Sequence, residues 1–415
     1  MTQIQEKIDL IATKPKISPS FTEFVIIVSM MMALTALSID TMLPVLPEIG
    51  SDLGVAIPND RQLIVSIIFL GQALGQLFFG PLSDQTGRKP AIYAGYILFV
   101  GGSVVSLFSI NFGLMLLGRM LQGVGMSAPR AVSMALVRDR FEGRQMARVM
   151  SFAMTVFILV PMIAPTIGQG IHLIAGWRSI FGFFLLFALI TVIWFALRIP
   201  ETLNQENRVP FSLKQIVHSI REILKIRMVL GYTLAGGLIS GFFLGYLNSS
   251  QQIFQEQYAL GESFPLYFAT ISLSLGTASF LNARLVMRYG MTKLVRWALS
   301  ILIGSAVLFL GISILQAGQP PLWSLMAYLM VSFFCTGIIF GNINALAMQP
   351  LGHLAGIGAA VVGSFSTFIS TLLGMMIGRF YDGTVIPLIV AMTVLTGATI
   401  IVVRWVNPQS KAMNK

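Results

Sequence analysis

Apolar runs of about 20 residues recur along almost the whole chain, and they constrain the fold more tightly than any motif in it. Wound as an α-helix at ~1.5 Å per residue, such a run crosses the ~30 Å hydrocarbon core of a bilayer. Lipid offers the backbone no hydrogen-bond partners, so spanning segments of this kind must be helical. Composition agrees: 55% of the residues are hydrophobic and 10% are charged, where a soluble chain carries about 25% charged residues. Apolar windows place spans over 22–44, 61–82, 90–109, 112–137, 147–171 and 178–198. Six more cover 228–252, 263–288, 293–315, 321–347, 355–378 and 385–406. The expected fold is an all-α integral membrane protein of twelve transmembrane helices. Residues 1–198 form an N-terminal six-helix half with its tail, 199–227 a cytoplasmic linker, and 228–415 a C-terminal six-helix half.

The formal net charge of +11 raises the question of nucleic acid. The basic residues, however, sit in short loops between apolar runs, where they set topology. If both termini are cytoplasmic, 22 of the 27 Lys and Arg face the cytoplasm. External loops then hold only Arg61, Arg178 and Arg379, and Arg119 and Arg130 lie inside span 4. That bias predicts both termini inside and no nucleic-acid partner. The lone Cys335 allows no internal disulfide. Residues 1–20 carry Lys7, Lys14 and Lys16 without an apolar signal core, so no removed signal peptide is expected. No metal-ligand cluster, nucleophile–base pair or phosphate-binding loop is present, and His353 sits in a loop. The sequence therefore predicts neither an enzyme nor a bound cofactor or metal.

Between spans 6 and 7, Leu213, Ile216, Val217, Ile220, Ile223 and Leu224 recur at helical spacing, with Ser212 and Gln215 placed as a capping box. This predicts an amphipathic linker helix lying on the membrane. "FGPLSDQTGRK" (79–89) and "LNARLVMRYGMTK" (281–293) repeat at an offset of 203 residues. Gly87 falls on Gly290, but Asp84 falls on Met287. Duplicated six-helix halves are the usual build of secondary transporters.

The loop "GPLSDQTGRKP" (80–90) resembles the signature between helices 2 and 3 of the major facilitator superfamily, with Gly80, Asp84, Gly87, Arg88 and Lys89 on its pattern. "GRMLQGVGMSA" (118–128) is similar to the fourth-helix motif of drug:proton antiporters, and "PMIAPTIGQGI" (161–171) to the fifth-helix motif of exporters. "LSIDTMLPVLP" (37–47), "GWRSIF" (176–181), "LNARLV" (281–286) and "FGNINALAMQPLGHLAGIGAA" (340–360) resemble the bicyclomycin-resistance (Bcr/CflA) branch. The chain departs from the pattern at Ala164-Pro165, where a Gly-Pro pair is usual, and at Arg130, where a small residue is more common. The resemblance implies two pseudo-symmetric halves around a cavity open alternately to either side. It also implies proton-driven export of small organic molecules.

Asp40 is the one acid clearly inside a span. A charge at mid-membrane costs roughly 2.5–3.5 kcal/mol even on the milder insertion scales. Two readings compete: a carboxylate reaching the external headgroups, and a proton carrier held between burial, which opposes its charge, and a nearby guanidinium, which supports it. Arg119 is the expected partner, since the resemblance makes helices 1 and 4 neighbours. Arg130 follows eleven residues later, only ~20° away around the helix and ~16 Å along it. Gln122 and Met126 lie between them, so the stripe is expected to line the cavity. Arg130 keeps a second reading, in which it meets cytoplasmic headgroups or Asp139. Tyr246, Asn248, Ser249 and Ser250 mark a candidate broken helix and substrate contact. Of Asn342 and Asn344, two apart, at most one can reach the cavity, and Asn344 is placed there. Asp84 is expected to dock at the start of helix 11 as a conformational latch, supported by Gly80, Gly87, Arg88 and Lys89. The alternative is an ordinary loop charge. Gly71 and Gly75, and Gly374 and Gly378, are read as helix packing, and Pro161 and Pro165 as kinks in span 5.

The expected protein is thus a proton-coupled exporter of small, largely apolar compounds, a multidrug antiporter acting as a monomer in a bacterial inner membrane. Its partners are a small-molecule substrate, protons and the lipid bilayer. Two rivals stay open: a dedicated transporter of one anionic metabolite such as a siderophore, and a non-transporting membrane receptor on the same scaffold.

Overall fold

The computed structural model describes residues 19–406 except 209 and 211. Among the described residues, twelve helices of 20 residues or more make up the body. The first six are α1 (Phe21–Asp40), α2 (Leu63–Thr86), α3 (Arg88–Leu107), α4 (Phe112–Arg140), α5 (Gly143–Ala175) and α6 (Arg178–Arg198). The second six are α7 (Arg227–Gln251), α8 (Phe264–Tyr289), α9 (Met291–Leu315), α10 (Leu322–Met348), α11 (Ala355–Arg379) and α12 (Ile386–Val406). Ten of them are long and apolar enough to cross a membrane. The remaining two are α4, which carries Arg119 and Arg130, and α5, whose apolar stretch is confined to Leu159–Ala175.

The packing repeats with a period of six helices. Within the first half α1 packs on α4, α5 and α6, α2 on α4, and α3 on α4 and α6; α7 to α12 repeat each of these pairings. The halves meet where α2 lies against α11 and α5 against α8. Gly87 and Gly290, the pair aligned by the sequence repeat, both cap a helix with left-handed backbone, φ 105° and 76°. The turn survives in both copies because glycine adopts this conformation without a steric penalty.

Three helix ends differ from their apolar windows. Span 1 was expected to run to residue 44, but α1 ends at Asp40 and continues as a 3-10 turn, Leu43–Val45, and a short helix, Leu46–Asp52. The reason is Pro44: it has no amide to bond the Asp40 carbonyl four residues back, and its ring clashes there. Tyr246–Ser250, expected to mark a break, lie inside continuous α7, and only past Gln251 does the chain wind into a π-helical turn, Gln252–Gln257. A 3-10 segment, Gln349–Leu354, follows α10. In contrast, Pro161 and Pro165 remain inside one continuous helix. The linker helix forms over Leu213–Lys225, one residue after Ser212. It rests on α7 and α11 with Ile223 buried; the Gln215 side chain of the expected capping box lies outside the described residues.

Helix pairs in the body are close because their glycines leave room. A Cβ on Gly71 would collide with the Met120 carbonyl of α4. One on Gly374 would lie 2.6 Å from the Leu244 side chain of α7. Gly101 of α3, by comparison, has open space where its Cβ would stand. Gly71→Ala should therefore lower stability by about 1–3 kcal/mol through overpacking, and Gly101→Ala should stay within about 0.5 kcal/mol of wild type. Thermal unfolding of the purified variants in detergent checks both, and equal midpoints would refute the packing role.

Candidate functional site

The break in α1 organises the site. The last carbonyls of a helix lack partners within it, and the amide of Met42 turns to Ile39 rather than to the Ser38 carbonyl. Arg119 of α4 takes that carbonyl: its Nη2 donates to Ser38 O at 2.8 Å, while Nε donates to Ile64 O of α2 at 2.9 Å. Nη1 donates to Gln122 Oε1 at 2.9 Å, and the Phe181 ring lies 5.9 Å from the guanidinium carbon. The side chain is fully buried. Three acceptors across three helices thus hold one cation against the break.

Asp40 is buried, 5% exposed, at the C-terminal end of α1. The expected ion pair with Arg119 is not formed. Among the described residues no cation or hydrogen-bond donor engages the Asp40 carboxylate. An ionised carboxylate here would be buried, unpaired and at the negative end of a helix dipole; protonation removes the charge and all three costs. Two neighbours crowd this point. Gly168 of α5 lies so close to the Thr41 carbonyl that any side chain would collide with it, which explains a glycine in the fifth-helix motif. From the other half comes Tyr246, within electrostatic range of Asp40. Its hydroxyl has no hydrogen-bond partner among the described residues.

The remaining members of the expected cavity stripe separate. Gln122 is fully buried and donates to Ser103 Oγ of α3 at 2.7 Å. Met126 is also buried, and its sulfur accepts from Ser38 Oγ at 3.2 Å. Both therefore pack between helices instead of lining open space, because α3 and α1 cover that face of α4. Arg130 alone of the stripe is exposed; its Nη1 donates to Gln72 Oε1 of α2 at 2.8 Å. The contact with Asp139 is not made, since Asp139 accepts from Arg88 and Thr202. Tyr246 is enclosed by Phe268 and Phe333, with ring centroids 5.9 and 4.6 Å away. Ser250 is fully buried and donates to Leu247 O. Asn342 donates to Asn282 Oδ1 of α8 at 2.7 Å, while Asn344 is exposed.

The loop after α2 is tied within its own half. Arg88 donates to Asp84 Oδ1 at 2.5 Å, Ser83 Oγ at 2.9 Å and Asp139 Oδ2 at 2.9 Å. Glu201, just past α6, accepts from the backbone amides of Arg88 and Lys89 at 2.9 and 3.0 Å. It is therefore Glu201 that puts a carboxylate on the N-terminus of α3, next to Gly87. Lys89 reaches Ala196 O at 2.9 Å. Asp84 accepts from Arg88 and makes no hydrogen bond to α11 among the described residues. Gly80 faces α11 at ordinary contact distance, where a Cβ would stand 3.9 Å from that of Ala360, while a Cβ on Gly363 of α11 would lie 2.6 Å from Gln76 Oε1 of α2. The side chains of His353, Leu354 and Ala355, at the start of α11, lie outside the described residues.

A second cluster closes the face opposite the basic loops. Gln62 donates to Gln252 Oε1 and Gln252 to Asn59 Oδ1, both at 2.7 Å. Asn59 donates to the carbonyls of Arg379 and Tyr381 at 3.0 and 2.8 Å, and Arg61 pairs with Glu256. Burial pushes the Tyr381 hydroxyl up to about 12, so it stays a donor toward the Gln252 carbonyl at physiological pH. Deeper in, Ser364 donates to Ala73 O at 2.6 Å. Among the described residues no hydrogen bond joins the halves nearer the basic face, so they are locked on one side only. Sequence reasoning missed this lock: its amides sit in a short loop and past the end of α7, with no spacing to single them out.

The sequence profile of the Major Facilitator Superfamily matches residues 28–378. A Haemophilus influenzae protein named bicyclomycin resistance protein homolog is 30% identical over 372 residues, covering 89% of this chain and 92% of its own. The multidrug resistance protein MdtL of Shewanella oneidensis is 27% identical over 345 residues, covering 82% and 84%. Among solved structures, the human organic anion transporter MFSD10 superposes with a TM-score of 0.71 at 18% identity, covering 94% of this chain and all of that one.

A buried hydrogen bond contributes about 0.5–1.5 kcal/mol, a factor of roughly 2 to 13 in a two-state population. Gln252→Ala removes two of them from the lock. A cysteine at Ser250, on a Cys335→Ser background, should then react with an impermeant maleimide at least about twofold faster. An unchanged rate would mean that the amides do not hold this face shut.

Proposed function

The chain belongs to the major facilitator superfamily, and from that premise we propose that it is a proton-coupled exporter of small, largely apolar compounds. Membership makes it a membrane transporter and not an enzyme. The export reading draws on relatives named for bicyclomycin and multidrug resistance. It places residues 1–198 and 228–415 as the two moving halves and 199–227 as their tether, with both termini in the cytoplasm of a bacterial cell. The basic-poor face is then external, and the lock of Asn59, Gln62 and Gln252 belongs to the state open toward the cytoplasm. The proton gradient supplies the energy without a bound cofactor, and a single copy of the chain suffices.

The observation that carries the mechanism is Asp40, buried without a partner at the break of α1. In the externally closed state Asp40 holds a proton and needs no counter-ion. Substrate entering from the cytoplasm shifts α1 against α4 and α7, releasing the proton and leaving the carboxylate to the Arg119 guanidinium, which already holds the neighbouring Ser38 carbonyl. Arg119 serves as the positioning cation of the pair. Return to the starting state follows reprotonation from outside. The loop of Gly80, Asp84, Gly87, Arg88 and Lys89, held by Asp139 and Glu201, keeps α2, α3 and α4 moving as one body. Asp40→Asn cannot exchange a proton. In proteoliposomes with an imposed pH gradient it should lose gradient-driven flux of a labelled compound panel while inserting normally. Substrate-dependent proton release that persists in Asp40→Asn would defeat the assignment.

Arg130 favours a second reading, a dedicated transporter of an anionic metabolite. It is exposed between the halves, and Gln72 provides it with a neutral partner in place of an acid. A charge-assisted hydrogen bond to a ligand contributes about 1.5–3 kcal/mol, or roughly 10- to 150-fold in affinity. Arg130→Ala should weaken the acid form of a compound by that factor and its matched amide far less, with Arg130→Lys rescuing only in part. Equal losses for acid and amide in a competition assay would leave Arg130 a structural role and the multidrug reading alone.

A further inference from the structure

A groove of about 650 Å³ runs between α1, α5 and α6, apart from the interface of the two halves. Its walls include Val25, Ser29 and Ala33 of α1, Phe152 and Ile163 of α5 and Phe187 of α6. Phe152 and Ile163 of α5 are 48% and 54% exposed, so the groove is open along its α5 wall. Its lining on α1 extends from Thr22 to Leu37, roughly 22 Å at the helical rise. That is the scale of a single acyl chain within a ~30 Å hydrocarbon core. The Ser29 hydroxyl, 5% exposed, has no hydrogen-bond partner among the described residues.

One end of the groove is charged. Arg148 stands there, its guanidinium carbon 5.1 Å from the Phe21 ring centroid and 5.9 Å from that of Phe152. The acid nearest along the wall, Glu23, is already committed to Arg198 and Trp194. Arg140 donates to the Pro19 carbonyl. Among the described residues no carboxylate lies within ion-pair distance of Arg148 or of Arg144, one turn earlier on α5. A guanidinium at the end of an apolar groove, with no carboxylate partner among the described residues, complements an anionic head on an acyl chain. Basic pockets between transmembrane helices bind lipids of that kind. We propose that this groove is a binding site for an anionic phospholipid of the leaflet beside the basic loops. Its phosphate lies on Arg148 and one acyl chain lies between α1 and α5. The site is independent of what the protein transports.

The test uses the full chain, delipidated in detergent, with dioleoyl phosphatidylglycerol or dioleoyl phosphatidylethanolamine added and bound lipid counted by native mass spectrometry. Wild type should retain phosphatidylglycerol about 10-fold more tightly, as expected of a charge-assisted contact. Arg148→Gln should reduce it to the phosphatidylethanolamine level, with Arg148→Lys keeping part. Ile163→Trp, which narrows the groove and leaves the charge alone, should weaken both lipids; Ala33→Leu is a second filler should the first elute as aggregate. Equal retention of the two lipids by wild type would overturn the proposal, pointing to an ordinary annular lipid or an apolar compound in the groove. So would retention unaffected by Arg148→Gln or by both fillers. Displacement of the lipid by glycerol phosphate at equal concentration would reduce the site to a headgroup contact and overturn the acyl assignment.

Discussion

The contact between Arg119 and the Ser38 carbonyl is the constraint on which the rest depends. A buried guanidinium cannot shed its charge under ordinary conditions, so its donors must find acceptors. The Ser38 carbonyl, left free at the break when the Met42 amide turns to Ile39, is one of them, and the Ile64 carbonyl and Gln122 are the others. The cation and the helix break therefore stabilise each other. Asp40 sits two residues beyond the captured carbonyl and outside the cation's hydrogen-bond shell. A carboxylate permanently paired with arginine would hold its charge throughout a cycle, whereas an isolated one can trade charge for a proton when the break moves.

That break also touches both halves. Gly168 of α5 packs on the Thr41 carbonyl, and the turn at Leu43–Val45 meets α5 and α7. Tyr246 brings an unpartnered hydroxyl from α7 to the same region. Further out, the amides of Asn59, Gln62 and Gln252 close the face above it. On the proposed mechanism, movement of α1 that changes the charge of Asp40 acts directly beneath the lock. Amides suit such a lock: they bond in either direction and add no net charge, so breaking them costs little compared with separating a buried ion pair.

The fold was legible because lipid makes helix the only solution for each apolar run, and lysine and arginine counts order the loops. Asp40, Arg119 and Arg130 stood out because charge is costly at membrane depth. Their partners did not follow from helical periodicity. The stripe from Arg119 to Arg130 lies on one side of α4, yet α1 and α3 cover Gln122 and Met126 and leave only Arg130 open. Backbone carbonyls are invisible to motif reading, so Ser38 and Ile64 could not be foreseen as the acceptors of Arg119. The same holds for Glu201, which lies 117 residues after Asp84 in the sequence and shares the N-terminus of α3 with the signature loop. Asn59 and Gln252 are ordinary polar residues whose roles arise only from the meeting of two halves.

The most direct measurement is infrared difference spectroscopy of the reconstituted protein on substrate binding at neutral pH. The carbonyl stretch of a protonated carboxyl group should be lost when substrate binds to wild type, and that difference should be missing in Asp40→Asn. No Asp40-dependent carboxyl band, or one that substrate leaves unchanged, would contradict a proton stored at the break of α1.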